Sequence, residues 1–238
     1  MKKLVKKGHF RLLHLIQTPQ TVHCIGDSHL RVFESIQYAT YFRHTVFKIC
    51  MVVGATAMGI PNPMSKTKAR RVFDNYLNKT PKRDSLLFLL GEVDCGFLIW
   101  FKNQETGEEI EELFKKSMTN YKLFLGETKR MRFEDILVCS VPLPTVISYS
   151  NYDKDNLRHK IKASFKDRTK ITRRFNHSLM DVCKDLDMKF VDIERLSIDT
   201  KTNLVQKRFI NPDKLDHHMN KDEFARIVVK ALKLQGYN

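Results

Sequence analysis

The chain has 238 residues, of which 42% are hydrophobic and 29% are charged, a balance that excludes an intrinsically disordered protein. The formal net charge of +15 at pH 7 favours anionic partners such as nucleic acid, an acidic glycan or a phosphorylated cofactor, without choosing among them. The sequence has no run of about 18 uncharged apolar residues, so we expect no transmembrane helix.

The first 20 residues predict a basic extension of a single domain that spans residues 1–238. The segment begins with lysines like a signal peptide, but Arg11 and His14 interrupt its apolar stretch, and there is no small-residue cleavage site. The five cysteines are odd in number and form no CxxC pair, which favours buried, reduced thiols. These features together predict a cytoplasmic location.

Along the chain, short apolar runs rich in β-branched residues alternate with longer stretches of helical periodicity. The runs lack polar alternation, as expected for strands that are covered on both faces. They predict strands over residues 21–25, 46–53, 86–90, 136–141 and 189–193. Apolar residues spaced three and four apart predict helices over residues 29–38, 66–77, 108–125, 173–186 and 221–234.

The alternation of strands and helices predicts an α/β/α sandwich with about five parallel strands. In such sheets, functional sites form at the carboxyl ends of the strands. Asn220, with Glu223 three residues later, resembles a capping box and predicts the start of the last helix.

A candidate nucleophile lies at the end of the first strand, in the sequence Gly26-Asp27-Ser28. At a strand-to-helix junction, helix-start N–H groups favour a developing oxyanion, although this fragment alone also fits a simple turn with a helix cap. An activated serine needs a base and an acid that orients it, and Asp216 and His218 lie together on the loop before the last helix. Histidines on such a loop also fit surface decoration or an incidental metal site. A zinc site needs further spaced ligands, so we predict no metal.

Glycines stand at the ends of the second and third predicted strands. Gly54 comes directly after the second, and Gly91 begins the fragment Gly91-Glu92-Val93-Asp94 after the third. A glycine at such a place lets the backbone approach a ligand closely, and its N–H can join an oxyanion hole. The alternative for each glycine is an ordinary turn.

Taken together, these fragments resemble the SGNH, or GDSL-like, hydrolase family over about residues 22–234. The resemblance implies a flavodoxin-like α/β/α sandwich, Ser28 as nucleophile, and His218 and Asp216 as its base and orienting acid. It also implies that the backbone N–H groups of Ser28 and Gly54 bind the oxyanion. No cofactor is implied.

The sequence departs from the family pattern in two blocks. Val93 stands where the family's third block has an asparagine that donates to the oxyanion, so one donor is missing, or Glu92 or Asp94 has taken a different role. The family acid lies three residues before the histidine, but Leu215 occupies that position and Asp216 lies two before His218. The fallback base is His217 and the fallback acid is Asp213. We expect Glu92, Asp94 and His217 to bind substrate.

The resulting hypothesis is a serine ester hydrolase that removes O-acyl, chiefly acetyl, groups from a carbohydrate. The carbohydrate rests on family analogy alone. One alternative is an O-acyltransferase that acts on a sugar or polysaccharide with the same residues. Another is a catalytically inactive basic module that binds nucleic acid, but the sequence carries no recognised nucleic-acid-binding motif, so we expect no nucleic-acid partner. The oligomeric state is not predicted.

Overall fold

The computed structural model describes residues 19–237, so that residues 1–18 of the predicted extension lie outside the described range. It contains one sheet of five parallel strands in the spatial order β2-β1-β3-β4-β5. The strands are β1 (Gln20–Gly26), β2 (Thr45–Met51), β3 (Ser85–Leu89), β4 (Ile136–Cys139) and β5 (Lys189–Val191). All five predicted strands are confirmed.

Helices connect the strands and cover the sheet on both sides, which confirms the predicted α/β/α sandwich. They are α1 (Arg31–Tyr38), α2 (Ala69–Lys79), α3 (Ile99–Thr106), α4 (Ile110–Arg130), α5 (Phe165–Asp185), α6 (Glu194–Ser197) and α7 (Lys221–Leu234). The aperiodic stretch before α7 contains a small antiparallel hairpin, β6 (Ile198–Asp199) with β7 (Leu204–Val205).

Two apolar cores lie against the two faces of the sheet. Helices α1 and α7 pack on one face, where Phe33 and Phe224 join alternate strand residues such as Leu87. Helices α2, α4 and α5 pack on the other face, where Phe124 and Phe175 contribute to the larger core. Because successive strand residues point to opposite faces, this arrangement explains the unbroken apolar runs in the sequence.

All five predicted helices are present in the predicted order, but one starts earlier, and two helices, α3 and the short α6, have no predicted counterpart. Helix α5 begins at Phe165, eight residues before the predicted start, because Ser164 and Asp167 form a reciprocal capping box ahead of the apolar stripe. Helix α3 has no counterpart among the predicted helices. It continues from a π-helical turn, Asp94–Leu98, directly after β3. The predicted bounds of α7 are confirmed, and the side chain of Asn220 accepts from the N–H groups of the first turn.

The order of the strands places a crevice between β1 and β3. From β1 the chain goes to β2 on one side of it and then returns to β3 on the other side. The connections after β1 and β3 therefore run in opposite directions, which makes this point the topological switch point of the sheet. Ligands bind at such points in folds of this kind. Gly26 ends β1 so close to β3 that an added Cβ would lie 1.8 Å from the carbonyl oxygen of Leu89. Only glycine permits this approach, and the next residues leave the sheet at its carboxyl edge.

Among residues 19–237, the helices are too short or too polar to cross a bilayer. The five cysteines are buried and free.

Candidate active site

Ser28 begins a short 3-10 turn that leads from β1 into α1. Asp27 caps this turn: its carboxylate accepts from the backbone N–H of His29 at 2.9 Å. The cap holds Ser28 at the start of a helical segment, where backbone N–H groups point outward. The side chain of Ser28 therefore stands at the carboxyl edge of the sheet, at the switch point.

The loop before α7 brings a histidine and an aspartate to this serine. His218 Nε2 lies 2.8 Å from Ser28 Oγ, and His218 Nδ1 lies 2.6 Å from Asp216 Oδ1. The backbone N–H of His218 also donates to the same carboxylate oxygen at 2.9 Å. The spacing of two residues, which departs from the family pattern, lets one carboxylate oxygen meet both the backbone and the ring of His218.

Side chains from other elements fix this loop. The Asn211 amide donates to Asp216 Oδ2 at 3.0 Å and to the backbone carbonyl of His218 at 3.3 Å. Thr145, on the segment after β4, donates its hydroxyl to the carbonyl of His217 at 3.0 Å. The Tyr152 hydroxyl donates to another carbonyl of the loop, that of Leu215. The sequence predicts none of these contacts, because polar side chains that hold a loop carry no periodic signal.

The surroundings keep His218 neutral and Asp216 ionised. Burial lowers the pKa of His218 and the neighbouring His29 lowers it further, which together outweigh the effect of Asp216. Burial would raise the pKa of Asp216, but the hydrogen bonds from His218 hold it below its ordinary value. At neutral pH the imidazole is therefore in the form that can accept a proton from Ser28.

The two fallback residues lie elsewhere in the network. The Asp213 carboxylate accepts from the backbone N–H of Leu215 at 2.9 Å, which shapes the loop. The ring of His217 packs at a tilt of 37° against that of His218, with the two centroids 4.2 Å apart, and its Nε2 lies 4.0 Å from Glu92 Oε2. Burial lowers the pKa of His217 to about 3, so this ring is also neutral.

His29, for which the sequence predicts no role beyond starting a helix, is part of the cluster. Its Nδ1 lies 3.0 Å from Asp27 Oδ1, and its ring centroid lies 4.6 Å from that of His218. Although burial opposes it, Asp27 raises the pKa of His29 above its ordinary value. A second Asp–His pair, Asp27 with His29, thus lies beneath the first.

Glu92 lies beside this cluster as a buried, ionised carboxylate. Its Oε2 lies 3.4 Å from Arg158 Nη2, and Arg158 Nη1 donates to the hydroxyl of Tyr149 at 2.9 Å. Burial would raise the pKa of Glu92, but Arg158 pulls it down to about 2. Gly96 provides the space, since an added Cβ there would lie 2.5 Å from Glu92 Oε1.

Asp94 has a structural role rather than the substrate contact that we expected from the sequence. It is fully buried, and its carboxylate accepts from the N–H groups of Ala57 at 2.7 Å and Met58 at 2.9 Å, and from the Ser117 hydroxyl at 3.1 Å. Burial raises the pKa of Asp94 to about 7. With these bonds, Asp94 anchors the loop that comes after Gly54.

Gly54 lies at the end of β2, next to the end of β1. The N–H of Val52 donates to the carbonyl of Gly26 at 2.9 Å, which aligns the two strand ends. Gly54 has φ of +73°, a conformation that favours glycine. Val93 is 9% exposed and its side chain has no donor, so only backbone N–H groups remain among the expected oxyanion donors.

A cleft of about 200 Å³ opens beside Ser28, between α1 and the start of α7. Ser28, His29, Asp216 and His218 form its inner end. Val32 and apolar residues of the α7 side, Met219 and Phe224, form its walls.

Asp216, His217 and His218 offer ligand atoms within 4.8 Å of one another, which is close enough for a metal ion. Two of these three side chains are already bonded to each other, and His218 is also bonded to Ser28. Both ring nitrogens of His218 therefore already have a partner within the chain.

Comparisons with known proteins identify the fold. No family model and no curated protein matches the sequence. Among solved structures, the acetyl xylan esterase AlAXEase superposes with a TM-score of 0.55 at 13% identity, covering 90% of this chain and 98% of that chain. A GDSL-like lipase from Bacteroides thetaiotaomicron gives a TM-score of 0.55 at 14% identity, covering 97% and 95%.

A protein from Slackia heliotrinireducens that is assigned as an SGNH hydrolase gives a TM-score of 0.55 at 10% identity, covering 90% of this chain and 97% of that chain. These superpositions establish the architecture. At identities this low they do not assign the activity, which has to be argued from the site. The chain has the SGNH hydrolase fold.

Proposed function

We propose that this protein is a carboxylic ester hydrolase in which Ser28 is the nucleophile, His218 the base and Asp216 the residue that orients the base. The contact between Ser28 Oγ and His218 Nε2, at 2.8 Å, carries the proposal. A serine hydroxyl is a weak nucleophile unless a neutral base lies within hydrogen-bond reach, and His218 meets both conditions.

The reaction proceeds in two halves. Ser28 Oγ attacks the ester carbonyl carbon while its proton passes to His218 Nε2, and the resulting oxyanion is held by the backbone N–H groups of Ser28 and Gly54. His218 then protonates the leaving alcohol, and the C–O bond to that alcohol breaks to leave an acyl-Ser28. Water attacks this intermediate, gives its proton to His218 and releases the carboxylic acid, after which the proton returns to Ser28 Oγ.

We propose O-acetylated carbohydrate as the substrate class. One structure of the same fold is an acetyl xylan esterase. The cleft beside Ser28 has a volume of about 200 Å³, smaller than the roughly 300–1,000 Å³ typical of sites for drug-sized ligands. A cleft of this size, with polar groups at its inner end, suits a small polar group better than a long apolar chain.

Labelling with a fluorophosphonate serine probe tests the nucleophile directly. Wild-type protein becomes labelled, Ser28→Ala does not, and His218→Ala is labelled far more slowly. Asp213→Asn, on the same loop, is a matched control that keeps the wild-type rate. Labelling that persists in Ser28→Ala would remove the basis of the proposed function.

A further inference from the structure

The cleft beside Ser28 contains buried polar atoms that no part of the described chain satisfies. The His29 side chain is 1% exposed, and its Nε2 has no hydrogen-bond partner among residues 19–237. The Ser35 hydroxyl, on α1, is buried and lacks a partner within the same range. Both residues line the cleft. Buried polar atoms in folded proteins nearly always have a hydrogen-bond partner, so these two atoms are candidates for a partner from outside the chain.

Two cationic side chains that are unpaired within residues 19–237 line the same cleft. Arg31 and Lys221 line it, are exposed, and form no ion pair with the described residues. They are the first residues of α1 and α7. The lining also carries two carboxylates, Glu34 and Asp216, and Asp216 is bonded to His218. Among the described residues, the two lining cations, Arg31 and Lys221, therefore stay free to meet an anionic group of a ligand.

We propose that this cleft binds the alcohol part of the ester, and that this alcohol is a sugar bearing an anionic substituent, either a carboxylate or a phosphate. The inference rests on the proposed function, because His218 must protonate the leaving oxygen and so must lie against the alcohol. His29 Nε2 and the Ser35 hydroxyl hydrogen-bond to the sugar. Arg31 and Lys221 attract its anionic group at the mouth of the cleft.

Three substrates that differ only at one carbon test this assignment: the 3-O-acetyl esters of glucose, glucuronic acid and glucose 6-phosphate. We expect kcat/KM to be about 10-fold higher for at least one anionic ester than for the glucose ester, and the ratio to shrink as salt is added. The anionic ester with the larger ratio identifies carboxylate or phosphate as the natural group.

Variants connect the preference to the cleft. Arg31→Gln and Lys221→Gln each lower the ratio of anionic to neutral kcat/KM about 2- to 5-fold, as expected for exposed charges. Ser35→Ala lowers kcat/KM for all three esters in similar proportion. Lys230→Gln is the matched control, because Lys230 is an exposed cation on α7 that does not line the cleft, and this variant keeps the wild-type ratio.

Binding of the deacetylated sugars, measured by NMR shifts of the histidine ring protons, separates this proposal from the proposed function. If no ester is hydrolysed but an anionic sugar binds more tightly than glucose and Arg31→Gln weakens it, the subsite stands and the hydrolase assignment fails. If the esters are hydrolysed with equal kcat/KM and neither cation variant changes their ratio, the anionic subsite is overturned.

Discussion

Replacing Asp216 by asparagine removes one negative charge and leaves the shape of the side chain. In the structure, Asp216 Oδ1 meets both the backbone N–H and Nδ1 of His218, and Oδ2 accepts from the Asn211 amide. An asparagine would have to turn its own NH₂ toward one of these donors. Hydrogen bonds to a charged group contribute about 1.5–3 kcal/mol each, so weakening one or two of them lowers the rate by about 10- to 10⁴-fold. Loss of the correct imidazole tautomer places the expected effect toward the upper end, at about 10³- to 10⁴-fold.

The assay is the second-order rate of fluorophosphonate labelling, together with kcat/KM for an acetyl ester. Asp213→Asn serves as the control, because among residues 19–237 the carboxylate of Asp213 bonds only to the N–H of Leu215, within the loop. Circular dichroism establishes that both variants fold. Wild-type rates in Asp216→Asn, or an equal loss in Asp213→Asn, would refute the assignment of Asp216 as the orienting acid.

The pH profile, a buried carboxylate and a strand-end glycine give three further expected outcomes. The acid limb of kcat/KM should have its midpoint at a pH below the ordinary pKa of histidine. Burial and His29 lower the pKa of His218, and activity is lost only as the pH drops through this lowered pKa and the ring becomes protonated. Glu92→Gln should reduce stability at pH 7 by about 1–3 kcal/mol, since it leaves Arg158 buried beside a neutral group. Because folding lowers the pKa of Glu92, its carboxylate stabilises the folded protein fully at pH values above the unfolded pKa of about 4.3. This stabilisation is lost as the pH falls through about 2. The urea midpoints of variant and wild type should therefore converge over that range. Gly26→Ala should prevent folding, as its Cβ would lie 1.8 Å from a β3 carbonyl oxygen. Gly107→Ala, whose Cβ would meet nothing within 4 Å, should cost about 1–2 kcal/mol by thermal unfolding, because alanine disfavours the φ of +72°.

The strands and the last helix could be predicted because their signal is periodic. Buried parallel strands read as unbroken apolar runs, and α7 has both an apolar stripe and a capping residue at Asn220. The early start of α5 escapes prediction because Lys166 to Arg174 reads as a solvated basic run. In the structure Arg168 is 1% exposed, with its guanidinium donating to the Val146 carbonyl at 2.6 Å and lying 4.3 Å from the ring centroid of Tyr149. Charge alone does not reveal that a side chain is buried.

At the site, the sequence predicts the residues proposed to do the chemistry but not those that hold them. Ser28 and His218 are separated by 190 positions, and only the parallel topology, which gathers strand ends at one edge, makes their contact predictable. Asn211, Thr145 and Arg158 act through hydrogen bonds that depend on the paths of loops. Those paths are set by three-dimensional packing and leave no pattern in the sequence.

The acidic residues of the fragment after β3, Glu92 and Asp94, point in different directions and have different partners. Asp94 points into the larger core and fixes the loop after β2, while Glu92 points toward the histidine cluster and pairs with Arg158. Val93, between them, supplies no donor, and an ionised Glu92 cannot donate either. In the proposed reaction, these two side chains leave the oxyanion to the backbone N–H groups of Ser28 and Gly54. Removing one side-chain donor from an oxyanion hole costs about 10²- to 10³-fold in kcat, so the proposed hydrolase should turn over slowly unless its substrate brings additional binding energy to the transition state. The two cations of the proposed alcohol subsite would supply such energy to an anionic substrate.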